Sequence, residues 1–326
     1  MYMCSSPLYR LNSVYVPPVM RSRIYRGAVI MRRSEYLNFI KEYPHLSRLP
    51  VEIPCGQCIE CRLSSAREWS LRCGLECQAH PFRSWFLTLT YDDAHIPLIE
   101  GLDPHTGDAG LIQSLSKRDC QLFFKRLRSD GFSFRYFLCG EYGETTYRPH
   151  YHALFFDCDF PDKKLYTIVS GTNFYRSAYL ERIWQNGQVL FSYVFDEAVN
   201  YVCRYQMKKL KGRPNREYLD ACSDLGLDAQ QEEFILASRR PAIGAPYFPK
   251  DYAGDVAFKG IERRCHYFDV ILARENPSRY LDVKNDRRRI NFCRKVGQTE
   301  EDRSEAMKVA EEIATRKQER SKKFKV

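Results

Sequence analysis

Three groups of residues in this 326-residue chain have types and spacings that could carry chemistry. His150 and His152 flank Tyr151 in the segment PHYHALFF, which reads as a strand. Alternate residues of a strand share a face, so the two imidazoles stand side by side while Tyr151 and Ala153 point the other way. Neighbouring imidazoles on a rigid strand can hold a divalent cation. Glu141 closes the preceding strand, and the turn GEYGETTYRP folds it back beside His150. Two histidines and one carboxylate make a three-ligand site with positions left for substrate oxygens. Glu144 is a second carboxylate nearby and competes for the acidic role.

The second group is Tyr201, Tyr205 and Lys208. Residues 196–211 (DEAVNYVCRYQMKKLK) read as a helix. Positions i, i+4 and i+7 fall within a narrow arc, so two phenols and an amine project together. Val199, Val202, Cys203, Gln206 and Leu210 cluster around the opposite side, available for burial. A tyrosine hydroxyl, with an ordinary pKa of about 10, is a weak nucleophile at neutral pH. A nearby cation favours the phenolate and also neutralises a phosphate.

The third group is Cys55, Cys58 and Cys61, spaced C-x2-C-x2-C in PCGQCIEC, with Cys73 and Cys77 one helical turn apart further on. Three or four thiolates, Cys55, Cys58, Cys61 and Cys73, suit a structural Zn2+ site. The alternative is a set of thiols capping a helix. An iron–sulfur cluster fits the first three cysteines but lacks a clear fourth.

These residues need a frame. Residues 62–80 are helical in pattern, and residues 84–91 (SWFLTLTY) alternate as a strand that carries Thr88 and Thr90. A loop follows from Asp92 to Gly110. Ser116, three residues before Asp119, opens a helix that runs through about Ser129. Residues 133–139 form a strand, then come the H-Y-H strand, a short helix over 177–185 and a strand over 188–195. Residues 1–50 show no sustained period and read as a wrapping arm, while 299–326 read as a charged helical tail. The domain reading is an arm with a Cys-rich loop and helix over 1–82, a core over 83–212, an accessory part over 213–298 and the tail.

Composition sets bounds on all this. Apolar residues at 44 % and aromatics at 14 % supply a core and exclude global disorder. The net charge of +10 points to an acidic partner, nucleic acid ahead of membrane. No stretch approaches the roughly 20 apolar residues of a membrane span. The first 20 residues lack the apolar segment of a secretory signal, so the 13 cysteines suggest a reducing cytoplasm. Lys209, Lys211 and Arg213 extend from the tyrosine helix as DNA-phosphate contacts, with Arg239, Arg240, Arg263, Arg264 and Arg287 to Arg289 downstream.

In their order, FLTLTY, GEYG, RPHYH and YVCRYQMK resemble the motifs of the HUH endonucleases, named for His–hydrophobic–His. More narrowly, the chain is similar to the rolling-circle replication initiators of microviruses. PCGQCIECR and SRRPAIG (Ser238 to Gly244) resemble their gokushovirus branch, and the resemblance covers roughly residues 54–270. It implies an α+β fold: a central antiparallel sheet of about five strands flanked by helices. It implies His150, His152 and Glu141 as ligands of Mg2+ or Mn2+, Tyr201 and Tyr205 as tandem catalytic tyrosines, and Lys208 as the lysine that follows them. Gln206 and Met207 depart from the family pattern. The implied reaction nicks single-stranded DNA at an origin through a 5′-phosphotyrosine and rejoins it. Host helicase and polymerase are the implied partners, in a bacterial host's cytoplasm. The competing readings are an HUH transposase or mobilisation enzyme, and a non-catalytic zinc-organised nucleic-acid-binding protein.

Overall fold

The computed structural model describes residues 7–25, 27–47, 51–56, 58–194, 196–208 and 216–295. The chain divides into two compact units, residues 1–65 with 292–326, and residues 66–291.

In the first unit, β1 (Leu8–Asn12), β2 (Ala28–Met31) and β3 (Val51–Ile53) form an antiparallel sheet in the order β2-β1-β3. Helix α1 (Arg33–Glu42) helps close a small core of Leu11, Val16, Val29, Met31 and Phe39. The expected arm is thus a folded sheet. Its strands are too short, at 5, 4 and 3 residues, to show a period. Helix α2 (Ile59–Ala79) begins in this unit and continues into the second.

The second unit is built on a seven-stranded antiparallel sheet. In chain order its described elements are β4 (Ser84–Thr90), the hairpin β5 (Leu98–Leu102) and β6 (Ala109–Gln113), α3 (Lys117–Ser129), β7 (Arg135–Tyr142) and β8 (Pro149–Phe156). Then come β9 (Lys164–Val169), β10 (Thr172–Arg176), α4 (Ala178–Trp184), β11 (Val189–Tyr193) and α5 (Asp196–Lys208). The last part holds α6 (Arg216–Asp224), β12 (Phe234–Ala237), β13 (Val256–Phe258), β14 (Ile261–Arg263), α7 (His266–Glu275) and α8 (Pro277–Lys295). The order across the sheet is β12-β7-β8-β4-β11-β10-β9, so the H-Y-H strand β8 is interior. The sheet has seven strands where about five were expected. The extra strands are β9, β10 and β12, toward its edges. Most of β9 is exposed, so it carries no buried stripe for a sequence to show. The loop after β4 likewise contains the hairpin β5–β6.

The period of two in β4 and β8 divides the sheet into two faces. Trp85, Leu87, Leu89, Tyr151, Ala153 and Phe155 bury one face against α3 and α4. Phe86, Leu154 and Phe156 bury the other against Ala198, Val199, Val202 and Cys203 of α5, with Cys73 of α2. Ser116 caps α3 by accepting from the Asp119 N–H at 3.2 Å. Tyr151 takes part in the same corner. Its hydroxyl lies 2.8 Å from that of Tyr91 and accepts from the Ser116 N–H at 2.8 Å. Burial pushes the Tyr151 phenol far above its usual range. The middle residue of H-Y-H is therefore a packing element of the first face.

The SRRPAIG segment is bonded to α2. Arg72 Nε donates to the Ile243 carbonyl at 2.8 Å, and Glu76, fully buried, accepts from the Gly244 N–H at 2.8 Å. Arg135 donates twice to the same Glu76 carboxylate, at 2.9 and 2.6 Å. A buried carboxylate held by three donors locks α2, β7 and this segment together. No helix among the described residues is long and apolar enough to cross a membrane.

Candidate active site

Register builds the site. Thr90 on β4 pairs with His150 on β8, which pairs with Glu141 on β7. Two positions along, Thr88 pairs with His152, which pairs with Cys139. Directly opposed residues of an antiparallel pair bring their Cβ atoms within about 5 Å, so Glu141 and His150 meet by strand pairing alone. The tight turn between them closes with the Arg148 carbonyl accepting from the Gly143 N–H at 3.1 Å. Glu144 lies at the exposed tip of that turn, away from the converging ligands.

One carboxylate oxygen receives both imidazoles. Glu141 Oε1 lies 2.9 Å from His150 Nε2 and 3.1 Å from His152 Nε2. Each ring is fixed from behind. His150 Nδ1 lies 3.0 Å from the Arg148 carbonyl, which can only accept, so Nδ1 carries the proton and Nε2 is left with its lone pair in the neutral ring. His152 Nδ1 lies 3.1 Å from Thr88 Oγ1, its partner across the strands. Phe86 stacks on His152 at 5.4 Å between ring centres. Burial pushes the Glu141 carboxyl up, but hydrogen bonds to His150 and His152 outweigh it and hold it at about 2. Glu141 is therefore an anion at any physiological pH.

Nitrogen lone pairs facing a buried anion repel it unless a proton or a cation stands between them. A cation fits. In octahedral coordination at about 2.1 Å, adjacent ligands are about 3.0 Å apart, close to the 2.9 and 3.1 Å found here. The three ligand atoms lie within 4.8 Å of one another.

Helix α5 brings the phenol. Its buried stripe of Ala198, Val199, Val202 and Cys203 seats it on the site's face of the sheet. Tyr201, half-buried, donates its hydroxyl to Glu141 Oε1 at 3.5 Å, and its ring stands edge-on to His152 at 5.3 Å. The backbone of α5 extends through Tyr205 to Lys208, but the side chains of those two residues lie outside the described ones. Lys209, Lys211 and Arg213 lie outside the described residues altogether, as does the tail over 299–326.

Cys55, Cys58 and Cys61 gather their sulfurs within 4.8 Å of one another. Cys73 does not join them. It lies twelve positions beyond Cys61 on the same helix, about 18 Å along the axis, and is buried with its sulfur 4.0 Å from that of Cys203. The positioning roles of Thr88, Phe86 and the Arg148 carbonyl are absent from the sequence reading. For Thr88 a signal existed: Thr88 and Thr90 repeat the one-residue gap of His150 and His152 on a neighbouring strand.

Comparison with known proteins points the same way. The family model described as replication-associated protein ORF2 matches residues 84–210. That span runs from β4 through α5 and contains every residue of the site just described. The replication-associated protein ORF2 of Spiroplasma virus 4 is 33 % identical over 251 residues, 72 % of each chain. The replication-associated protein VP4 of Bdellovibrio phage phiMH2K is 36 % identical over 171 residues, 48 % of each chain. The replication-associated protein ORF4 of Chlamydia phage 1 is 26 % identical over 278 residues, 77 % of this chain and 66 % of that protein. No solved structure matches the chain.

Proposed function

The chain belongs to the family of phage replication-associated proteins, and on that premise we propose that it initiates rolling-circle replication as a metal-dependent tyrosine endonuclease of the HUH fold. It nicks single-stranded DNA at an origin and later rejoins it. One observation carries the reading: a carboxylate and two imidazoles converge within 3.1 Å, and a tyrosine hydroxyl lies 3.5 Å from the shared oxygen.

Glu141, His150 and His152 would hold the ion, Mg2+ or Mn2+, since it must accept phosphate oxygen as well as imidazole. Bound there, such an ion polarises a scissile phosphate and neutralises the charge that builds on it. The remaining work falls to the chain. Thr88 and the Arg148 carbonyl orient the two rings so that both Nε2 atoms face the same point. Helix α5, seated by its apolar stripe, sets Tyr201 for in-line attack. The bond from Tyr201 Oη to phosphorus forms as the bond from phosphorus to the 3′-oxygen breaks. The phenolic proton leaves and the 3′-oxygen departs as a hydroxyl. The 5′ end stays on the enzyme as a phosphotyrosine, and the freed 3′-hydroxyl primes the host polymerase while a host helicase opens the duplex. Tyr205 is the second nucleophile: it attacks the regenerated origin, and the 3′-hydroxyl of the displaced strand then attacks the first phosphotyrosine and closes the circle. Lys208 supplies positive charge beside the phosphate.

The test is adduct mapping. Incubation with single-stranded phage DNA and Mn2+, followed by mass spectrometry, is expected to find a nucleotide on Tyr201 or Tyr205. An adduct elsewhere, or cleavage that persists in chelator, refutes the assignment. A protein that only binds DNA gives tight binding and no adduct.

A further inference from the structure

We propose that Cys55, Cys58 and Cys61 bind a single zinc ion that ties β3 to the start of α2, at a site independent of the nuclease centre. The three sulfurs lie within 4.8 Å of one another, with Cys55 and Cys61 at 4.0 Å. Zinc at about 2.3 Å from each thiolate sets sulfurs about 3.8 Å apart on the edge of a tetrahedron. The trio thus has the spacing one ion requires. An iron–sulfur cube, with its thiolates on different irons, needs them further apart.

The loop is shaped for thiolates. Gly56 has φ +74°, in the left-handed region that glycine enters without strain. The turn it makes brings the Cys58 N–H to 3.2 Å from Cys55 Sγ, a donor that stabilises a thiolate sulfur. Cys61 lies in the first turn of the 21-residue helix α2, whose dipole favours negative charge there. On that same turn, Glu60 is 1 % exposed and neither of its oxygens has a hydrogen-bond partner. Polar capacity on this turn is left unfilled by the protein itself. Among the described residues no fourth cysteine, histidine or carboxylate lies within 4.8 Å of all three sulfurs. The fourth position therefore goes to a ligand that the trio does not fix, water included.

The site also has a structural task. The first unit has a small core, Leu11, Val16, Val29, Met31 and Phe39. Units with so little buried apolar surface are commonly stapled by a metal, and metal binding then adds directly to folding stability.

The test uses the full-length protein purified under reducing conditions. Metal analysis is expected to find about one zinc per chain, lost in Cys58→Ser and retained in both Cys73→Ser and Glu141→Gln. If Cys58→Ser does not fold, cobalt decides the matter on the wild-type chain. Adding Co2+ to demetallated protein should give the intense near-ultraviolet band of thiolate-to-cobalt charge transfer, and zinc should bleach it. A reduced, folded protein with neither zinc nor that band overturns the proposal. So does a brown iron–sulfide chromophore, or zinc that survives Cys58→Ser and leaves with Glu141→Gln. Each of these readouts is separate from DNA cleavage, so failure of the nuclease assignment would not mimic failure here.

Discussion

Replacing Glu141 by Gln preserves the side chain's shape and removes its charge, so it isolates what the anion does. Glu141 is 3 % exposed, and its Oε1 lies 2.9 and 3.1 Å from the two imidazole Nε2 atoms. Despite burial, those contacts hold the carboxyl at about 2 instead of 4.5. The difference converts to about 3 kcal/mol in favour of the charged form. Two charge-assisted hydrogen bonds at about 1.5 kcal/mol each give the same size. A carboxyl lowered on folding contributes its stability above the unfolded value and loses it as pH falls toward the folded one. In chelator, therefore, wild type should lose about 3 kcal/mol more than Glu141→Gln between pH 4.5 and 2. Metal turns the same change into a larger signal at neutral pH. At a Mn2+ concentration of about 100 Kd, the wild type gains about 2.7 kcal/mol. For a unit of this size that is a rise of about 5–10 °C in Tm. Weakening the site about 100-fold leaves about 0.4 kcal/mol at the same concentration, or about 1 °C. Thermal unfolding across a Mn2+ titration reads this directly. An equal rise in Tm for both proteins, or no rise in the wild type, would refute the idea that Glu141 and the histidines form a cation site.

Other outcomes follow from the same geometry. Tyr201→Phe keeps the ring edge against His152 but removes the hydroxyl, so the Mn2+ shift in Tm should persist while the covalent adduct on that residue disappears. Thr88→Val removes the oxygen facing His152 Nδ1, and Mn2+ affinity measured by calorimetry should fall about 10–100-fold, with Thr88→Ser restoring it. An unchanged affinity would mean that Phe86 stacking alone fixes the ring. Phe155→Ala empties a fully buried position stacked 4.6 Å from Phe134, and urea unfolding should show a loss of about 3–5 kcal/mol.

Much of the site was legible because its parts are local. The one-residue gap between His150 and His152 guarantees a shared strand face whatever the sheet contains. Tyr201 projects from the side of α5 away from Val202 and Cys203 because a helix repeats every 3.6 residues, and those two residues do take the buried side. Ser116 ends its loop with the expected cap for a reason contained within four residues. The antiparallel pairing of the GEYG and PHYH strands was readable from the short turn between them. That the two strands meet at Glu141 and His150 is a matter of register.

Other features depended on distance and exposure. The strands at the edge of the sheet were missed because β9 is largely solvent-exposed and has no apolar alternation to announce it. The sheet β2-β1-β3 was missed because its strands come from distant stretches and are too short to carry a pattern. Cys73 was grouped with the cysteine trio because one-dimensional spacing does not show that the straight rise of α2 carries it away to meet Cys203. Sequence alone thus determined which side chains share a face, since backbone periodicity is a property of neighbouring residues. Only the tertiary structure decided which faces meet. The pairing of β4, β7 and β8 and the seating of α5 bring Thr88, Glu141, His152 and Tyr201 together, and that pairing is set by burial across the whole sheet.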